Sequence, residues 1–142
     1  MTKIMIVDDE FDIRLVLTMT LEDSEYDVVQ AVDGSEALAS VRSINPGLIL
    51  LDINMPEMDG FQVLEQLKTY RDTSAVPVVM ISARSRPRDR EDALLLGAVD
   101  YITKSWSEGE LALRVSWALA QSKPGSGVMG QFETSTYSAA VA

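Results

Sequence analysis

Three acids in a row, Asp8, Asp9 and Glu10, follow the short apolar run Ile4–Val7. A lone aspartate, Asp52, closes a second apolar run, Leu48–Leu51, and Asn54 lies two residues beyond it. Ser82 ends a third run, Val78–Ile81, and Lys104 follows a fourth, Val99–Ile102. Clustered carboxylates repel one another and do not all ionise cheaply without a cation between them. The chain has no histidine and no cysteine, so any metal must be held by oxygen alone, which points to magnesium, manganese or calcium. Magnesium keeps several waters and takes one or two carboxylates plus phosphate oxygens. A lysine beside such a site offers a point charge to a phosphoryl group, and a serine hydroxyl offers a hydrogen bond. A carboxylate can itself be the nucleophile and become an aspartyl phosphate. Neutralising the oxygens of the transferring group is where most of the catalysis of phosphoryl transfer lies.

Each residue also has a plainer reading. Asp9 or Glu10 can cap a following helix, and Asp52 can be a turn residue at a strand end. Ser82 can be a cap or surface hydroxyl, and Lys104 a solvated lysine.

The elements that must position these residues are legible as alternation. Five apolar, β-branched runs (Ile4–Val7, Val28–Val32, Leu48–Leu51, Val78–Ile81 and Val99–Ile102) read as buried parallel strands. Between them, Ile13, Val16, Leu17, Thr20 and Leu21 recur at helical spacing. So do Ala37, Leu38, Val41 and Ile44, then Phe61, Leu64 and Leu67, with two further helices at Arg88–Leu96 and Glu108–Ala120. Asp33–Glu36 and Ser107–Glu110 read as capping boxes, Pro87 as a first-turn proline, and Gly97 as a helix stop. Five strand–helix units in series predict a doubly wound, three-layer α/β/α sandwich with a five-stranded parallel sheet. In such sheets ligands bind beyond the carboxyl ends of the strands, where strand order reverses. Four of the five strands deliver the polar residues above to that edge, and the second delivers Asp33.

The 142 residues, 46% hydrophobic but only 6% aromatic, make one domain with an aliphatic core. The formal net charge of -10 speaks against a direct nucleic-acid face and against docking on an anionic membrane. No stretch approaches a membrane span and no signal peptide is visible, so a cytoplasmic location is expected. Residues 122–142 are rich in Ser, Gly, Ala and Thr and carry only Lys123 and Glu133 as charges. They read as a flexible tail or linker after a domain at 1–121.

The motifs themselves resemble those of response-regulator receiver domains. Ile6-Val7-Asp8-Asp9-Glu10 is similar to that family's opening acidic motif. Leu50-Leu51-Asp52-Ile53-Asn54-Met55-Pro56-Glu57-Met58-Asp59-Gly60 is similar to its phosphoacceptor segment. Val79-Met80-Ile81-Ser82-Ala83 resembles the hydroxyl-bearing segment, and Gly97-Ala98-Val99-Asp100-Tyr101-Ile102-Thr103-Lys104 the segment ending in the phosphate-binding lysine. The resemblance covers residues 3–121. It implies a flavodoxin-like fold with strand order 2-1-3-4-5, and a two-component phosphorelay protein whose Asp52 accepts a phosphoryl group from a histidine kinase or phosphotransfer protein. It implies Mg2+, with Mn2+ as an alternative, held by Asp8, Asp9, Asp52 and the backbone carbonyl of Asn54. Ser82 and Lys104 would bind the phosphoryl group, and Ser82 and Tyr101 would form the switch. Asn54 and Arg84 would tune the lifetime of the phosphate. The output or self-association face would be the fourth helix, fifth strand and fifth helix. Tyr101 also fits half-buried strand packing.

Ser105 stands after Lys104 where the family usually has proline, and Lys104 is nonetheless expected to reach Asp52. Arg84, Arg86, Arg88 and Arg90 form a basic run that reads as a helix face paired with Asp89, Glu91 and Asp92, or as a dock for an acidic partner. The competing function is an enzyme, a magnesium-dependent aspartyl-phosphate phosphohydrolase. Such enzymes typically carry a second aspartate where this chain has Asn54. A third reading is a receiver-like binding module that needs no phosphate.

Overall fold

The computed structural model of the protein describes residues 1–121. The expected tail or linker, 122–142, lies outside the described residues. The strands are β1 (Lys3–Val7), β2 (Asp27–Ala31), β3 (Leu48–Asp52), β4 (Val78–Ser82) and β5 (Asp100–Thr103). The helices are α1 (Phe11–Asp23), α2 (Gly34–Ile44), α3 (Gly60–Thr69), α4 (Arg71–Ser74), α5 (Pro87–Leu95) and α6 (Glu110–Gln121). The sheet is parallel throughout, in the order β2-β1-β3-β4-β5.

Every residue of β3 and β4 is buried. This is why those strands read as continuous apolar runs rather than alternating ones: parallel strands covered on both faces have no wet side. Side chains of successive residues point to opposite faces, so each strand feeds two cores. Met5, Val7, Ile49, Leu51, Val78 and Met80 pack with Val41, Val63 and Leu67 on one face. Ile4, Ile6, Leu48, Leu50, Val79 and Ile81 pack with Leu17, Leu21, Leu111 and Val115 on the other.

The structure departs from the expected elements in several places. A four-residue helix, α4, follows α3; the buried Thr73 hydroxyl ties it back to the Leu67 carbonyl at 2.6 Å. The helices expected to be fourth and fifth are therefore α5 and α6. Val16, read as core, is exposed, and Arg14 takes the buried position on α1 instead. Of the two expected capping boxes, Asp33 forms its half, accepting from the Glu36 N–H at 2.8 Å. Ser107 turns its hydroxyl onto the Glu110 carboxylate at 3.1 Å instead of capping an N–H. Among the described residues the complete reciprocal box is Asp59–Gln62 at the start of α3. Gly97 ends α5 at φ +109°, a conformation that glycine adopts without a Cβ penalty.

Candidate functional site

Parallel pairing carries all the strand ends to one edge. Val7 lies opposite Ala31 and Leu51, Asp52 opposite Ile81, and Ser82 opposite Thr103. Asp8 and Asp52 thus leave neighbouring strands β1 and β3 side by side. The Asp8 N–H still reaches the Ala31 carbonyl, at 3.3 Å, before the chain turns outward. The carboxylates of Asp8, Asp9 and Glu10 have oxygens within 4.8 Å of one another. Neither Asp9 nor Glu10 makes a side-chain cap on α1; Asp8 Oδ1 takes the Glu10 N–H instead, at 2.9 Å.

Lys104 projects into this group. Its backbone N–H donates to the Ser82 carbonyl at 2.8 Å, which fixes where the side chain departs. Its Nζ stands 3.3 Å from Asp8 Oδ2, 3.3 Å from Asp52 Oδ1 and 3.4 Å from Glu10 Oε1. Lys104 therefore reaches Asp52 with serine after it, and no peptide bond among the described residues is cis. Glu10 was legible as part of the acid run, but its pairing with Lys104 was not, since 94 residues separate them.

The ammonium does not satisfy its buried partners. Asp8 Oδ2 and both oxygens of Asp52 are buried without a hydrogen bond. Burial, and then the charge of Asp8, push the Asp52 carboxyl up to about 6; Lys104 and the Asn54 backbone N–H pull it back only in part. Burial also raises Asp8, against the Glu10 N–H and Lys104. For Lys104 burial works downward, but Asp52 and Asp8 outweigh it and the net shift is upward. Buried carboxylate oxygens without donors, clustered and in an all-oxygen setting, fit a hard divalent cation.

The loop after Asp52 is held by close contact. The Gly60 N–H donates to the Ile53 carbonyl at 2.8 Å, and a Cβ at position 60 would overlap the Asp52 carbonyl oxygen. Asn54 is exposed in this loop. On the next strand Ser82 is fully buried, and its Oγ accepts the Arg84 N–H at 3.0 Å.

Tyr101 does not join the acid cluster. Its ring is buried in the core against α5, and its hydroxyl donates to the Arg84 carbonyl at 2.8 Å. The Arg84 side chain likewise lies with Asp89, at 3.8 Å, rather than with Asp52. Arg86 pairs with Asp89 at 3.0 Å and Arg88 with Asp92 at 4.0 Å, as expected, whereas Arg90 lies 4.0 Å from Asp100 on β5 and not with Glu91.

No helix among the described residues is long and apolar enough to cross a membrane. A family model described as the response regulator receiver domain matches residues 4–116. The chain is 40% identical over 121 residues to the alkaline phosphatase synthesis transcriptional regulatory protein PhoP of Bacillus subtilis, covering 85% of this chain and 50% of PhoP. It is 42% identical over 113 residues to the probable transcriptional regulator ycf27 of Porphyridium aerugineum, covering 80% of this chain and 46% of that one. It thus spans about half the length of the curated relatives it matches. Among solved structures, the Vibrio cholerae chemotaxis protein CheY4 superposes with a TM-score of 0.78 at 29% identity, over 83% of this chain and 98% of CheY4. The receiver domain of a Syntrophus aciditrophicus signal transduction histidine kinase gives 0.80 at 33% identity, over 89% of this chain and 96% of that one. On the fold, the strand-end residues and these matches together, the chain belongs to the response regulator receiver domain family of two-component signalling proteins.

Proposed function

We propose that Asp52 accepts a phosphoryl group from the phosphohistidine of a histidine kinase or phosphotransfer protein, and that the chain acts as a phosphorelay switch with no separate substrate to turn over. The observation that carries this reading is the pair of unsatisfied Asp52 oxygens, buried and 3.3 Å from an ammonium that also holds Asp8. With a carboxyl near 6, Asp52 is mostly ionised at neutral pH and available as a nucleophile. One Asp52 oxygen attacks phosphorus. The P–N bond to the donor imidazole breaks, and its electron pair stays on the nitrogen. Lys104 stands where it neutralises phosphoryl oxygens, and the Ser82 hydroxyl donates to one of them. Asp8, Asp9, Asp52 and the Asn54 carbonyl would hold Mg2+, or Mn2+ in its place. When bound, that ion supplies charge neutralisation at the same oxygens. Water later releases the phosphate, at a rate that Asn54 and Arg84 tune from the rim.

The Arg84 backbone links site to switch: its N–H reaches Ser82 Oγ and its carbonyl takes the Tyr101 hydroxyl. A Ser82 that turns toward a phosphoryl group therefore acts on the same residue whose carbonyl holds Tyr101. The face formed by α5, β5 and α6 is the output or self-association surface.

Residues 1–121 form the receiver unit, working in the cytoplasm. The charge-based expectation of no nucleic-acid contact is not supported by the relatives. A 37% identical one from Synechocystis is named a DNA-binding dual master transcriptional regulator, and this chain matches 48% of its length. The expectation is accordingly restricted to the acidic surface of the receiver unit.

The test is incubation with acetyl phosphate and MgCl2, followed by intact mass. One added phosphoryl group is expected on the wild type and none on Asp52→Asn. Equal labelling of the two, or an unlabelled wild type, sinks the reading.

A further inference from the structure

We infer that Arg14 is a positioning residue for the cation site, holding the Asp8–Asp9 peptide from behind. The inference rests on the proposed cation role of Asp8 and Asp9 and adds to it a residue that touches neither ion nor phosphate. Arg14 is buried on α1, and a buried guanidinium is costly unless its donors are used. Its Nη1 donates to the Asp8 carbonyl at 2.7 Å, and its Nε to Gln30 Oε1 at 3.1 Å. Gln30, on β2, donates in turn to the Thr18 hydroxyl at 3.0 Å, which returns the chain of bonds to α1. The Phe11 ring covers the guanidinium, with the centroid 5.8 Å from Cζ.

The Asp8 residue is thereby gripped on both sides, its N–H by the Ala31 carbonyl at 3.3 Å and its carbonyl by Arg14. The peptide unit is planar and stiff, so fixing the Asp8 carbonyl also fixes the Asp9 N–H and the position of the Asp9 Cα from which its side chain leaves. That matters because the Asp9 side chain is exposed, so little else orients it. A planar guanidinium suits the task better than an ammonium, since its rigid fork serves two acceptors in different directions at once. Groups that orient metal ligands from outside the coordination shell typically change metal affinity by about 10- to 100-fold when removed.

The test is a titration of the metal-free full chain with MgCl2, followed by amide chemical shifts of Asp8, Asp9 and Glu10, with thermal melting recorded in parallel. Arg14→Met keeps the aliphatic stem and deletes the donors; it should weaken Mg2+ affinity about tenfold. Arg14→Lys should recover part of that loss, and Gln30→Leu, which cuts the brace alone, should weaken binding roughly threefold. A merely structural arginine would lower the melting temperature and leave the Mg2+ affinity of the folded protein unchanged; that outcome overturns the inference. Should Arg14→Met not fold, Arg14→Lys and Gln30→Leu decide, and wild-type affinity in both overturns it equally. A wild type that takes up no Mg2+ instead removes the cation site itself, and the inference with it.

Discussion

Two buried aspartates on this sheet meet opposite fates. Asp100, at the start of β5, is fully buried, and both of its oxygens are occupied. Arg114 donates to them at 2.9 and 2.6 Å, and the Tyr101 N–H donates to one at 2.7 Å. Asp52, at the end of β3, is equally buried and has neither oxygen hydrogen-bonded. The cations make the difference. The fork of Arg114 closes on one carboxylate with parallel bonds. The point charge of Lys104 is shared among Asp8, Asp52 and Glu10 at 3.3–3.4 Å, and its hydrogen bond goes to the exposed Glu10, not to Asp52. One region is built to be finished when the chain folds; the other is left with capacity for something that arrives later.

Removing each carboxylate should therefore have opposite signs. Asp100→Ala takes two bonds from a largely buried Arg114, which keeps Glu110 and the Tyr101 carbonyl, and should cost about 3 kcal/mol in urea unfolding. A loss under about 1 kcal/mol would show that the closed pair is dispensable. Asp52→Asn should stabilise the metal-free protein at pH 8 by about 1–3 kcal/mol, because it removes an ionised, unsatisfied buried carboxylate.

That gain should depend on pH. The unfolded chain releases the Asp52 proton near the ordinary value of about 4, while the folded chain holds it up to about 6. Over that window the folded state binds more protons, so wild-type stability falls as pH rises. The gain from Asp52→Asn should vanish below the window and be complete above it, as melting temperatures at stepped pH would reveal. A pH-independent gain would place its origin elsewhere. Smallest of all, Arg88→Ala breaks an exposed contact to Asp92 and should shift stability by less than about 1 kcal/mol; a larger loss would make the basic run a third region of structural charge.

The acid edge was legible because a parallel sheet brings all its strand ends to one side, so Asp8, Asp52, Ser82 and Lys104 needed only correct strand ends to be grouped. Strand ends themselves are marked by the passage from apolar run to polar residue. The long side chains were not legible. Arg14 lies in a helical repeat where Val16 looks the better core residue, yet the Asp8 carbonyl and Gln30 draw the arginine inward and leave Val16 in water. Arg84 is an exception: its tuning role comes from the resemblance alone, while the pairing of the basic run with Asp89, in the first turn of α5, was legible and is present at 3.8 Å. The short α4 was not legible because polar contacts without a periodic signature tie it down: Thr73 to the Leu67 carbonyl, Lys68 to the Ser74 carbonyl and Arg42 to Asp72.

Asp52 is also the last residue of the central strand, every residue of which is buried. Amide hydrogens in such a strand exchange with solvent only through the rarest, most global openings, while peripheral segments open far more often. The carboxylate proposed as the phosphoacceptor is thus anchored in a strand expected to exchange slowest. Any signal that begins there must spread through faster neighbours, and deuterium uptake at Ile53 should lag behind uptake at Arg84 and Ser105 whether or not Asp52 is modified.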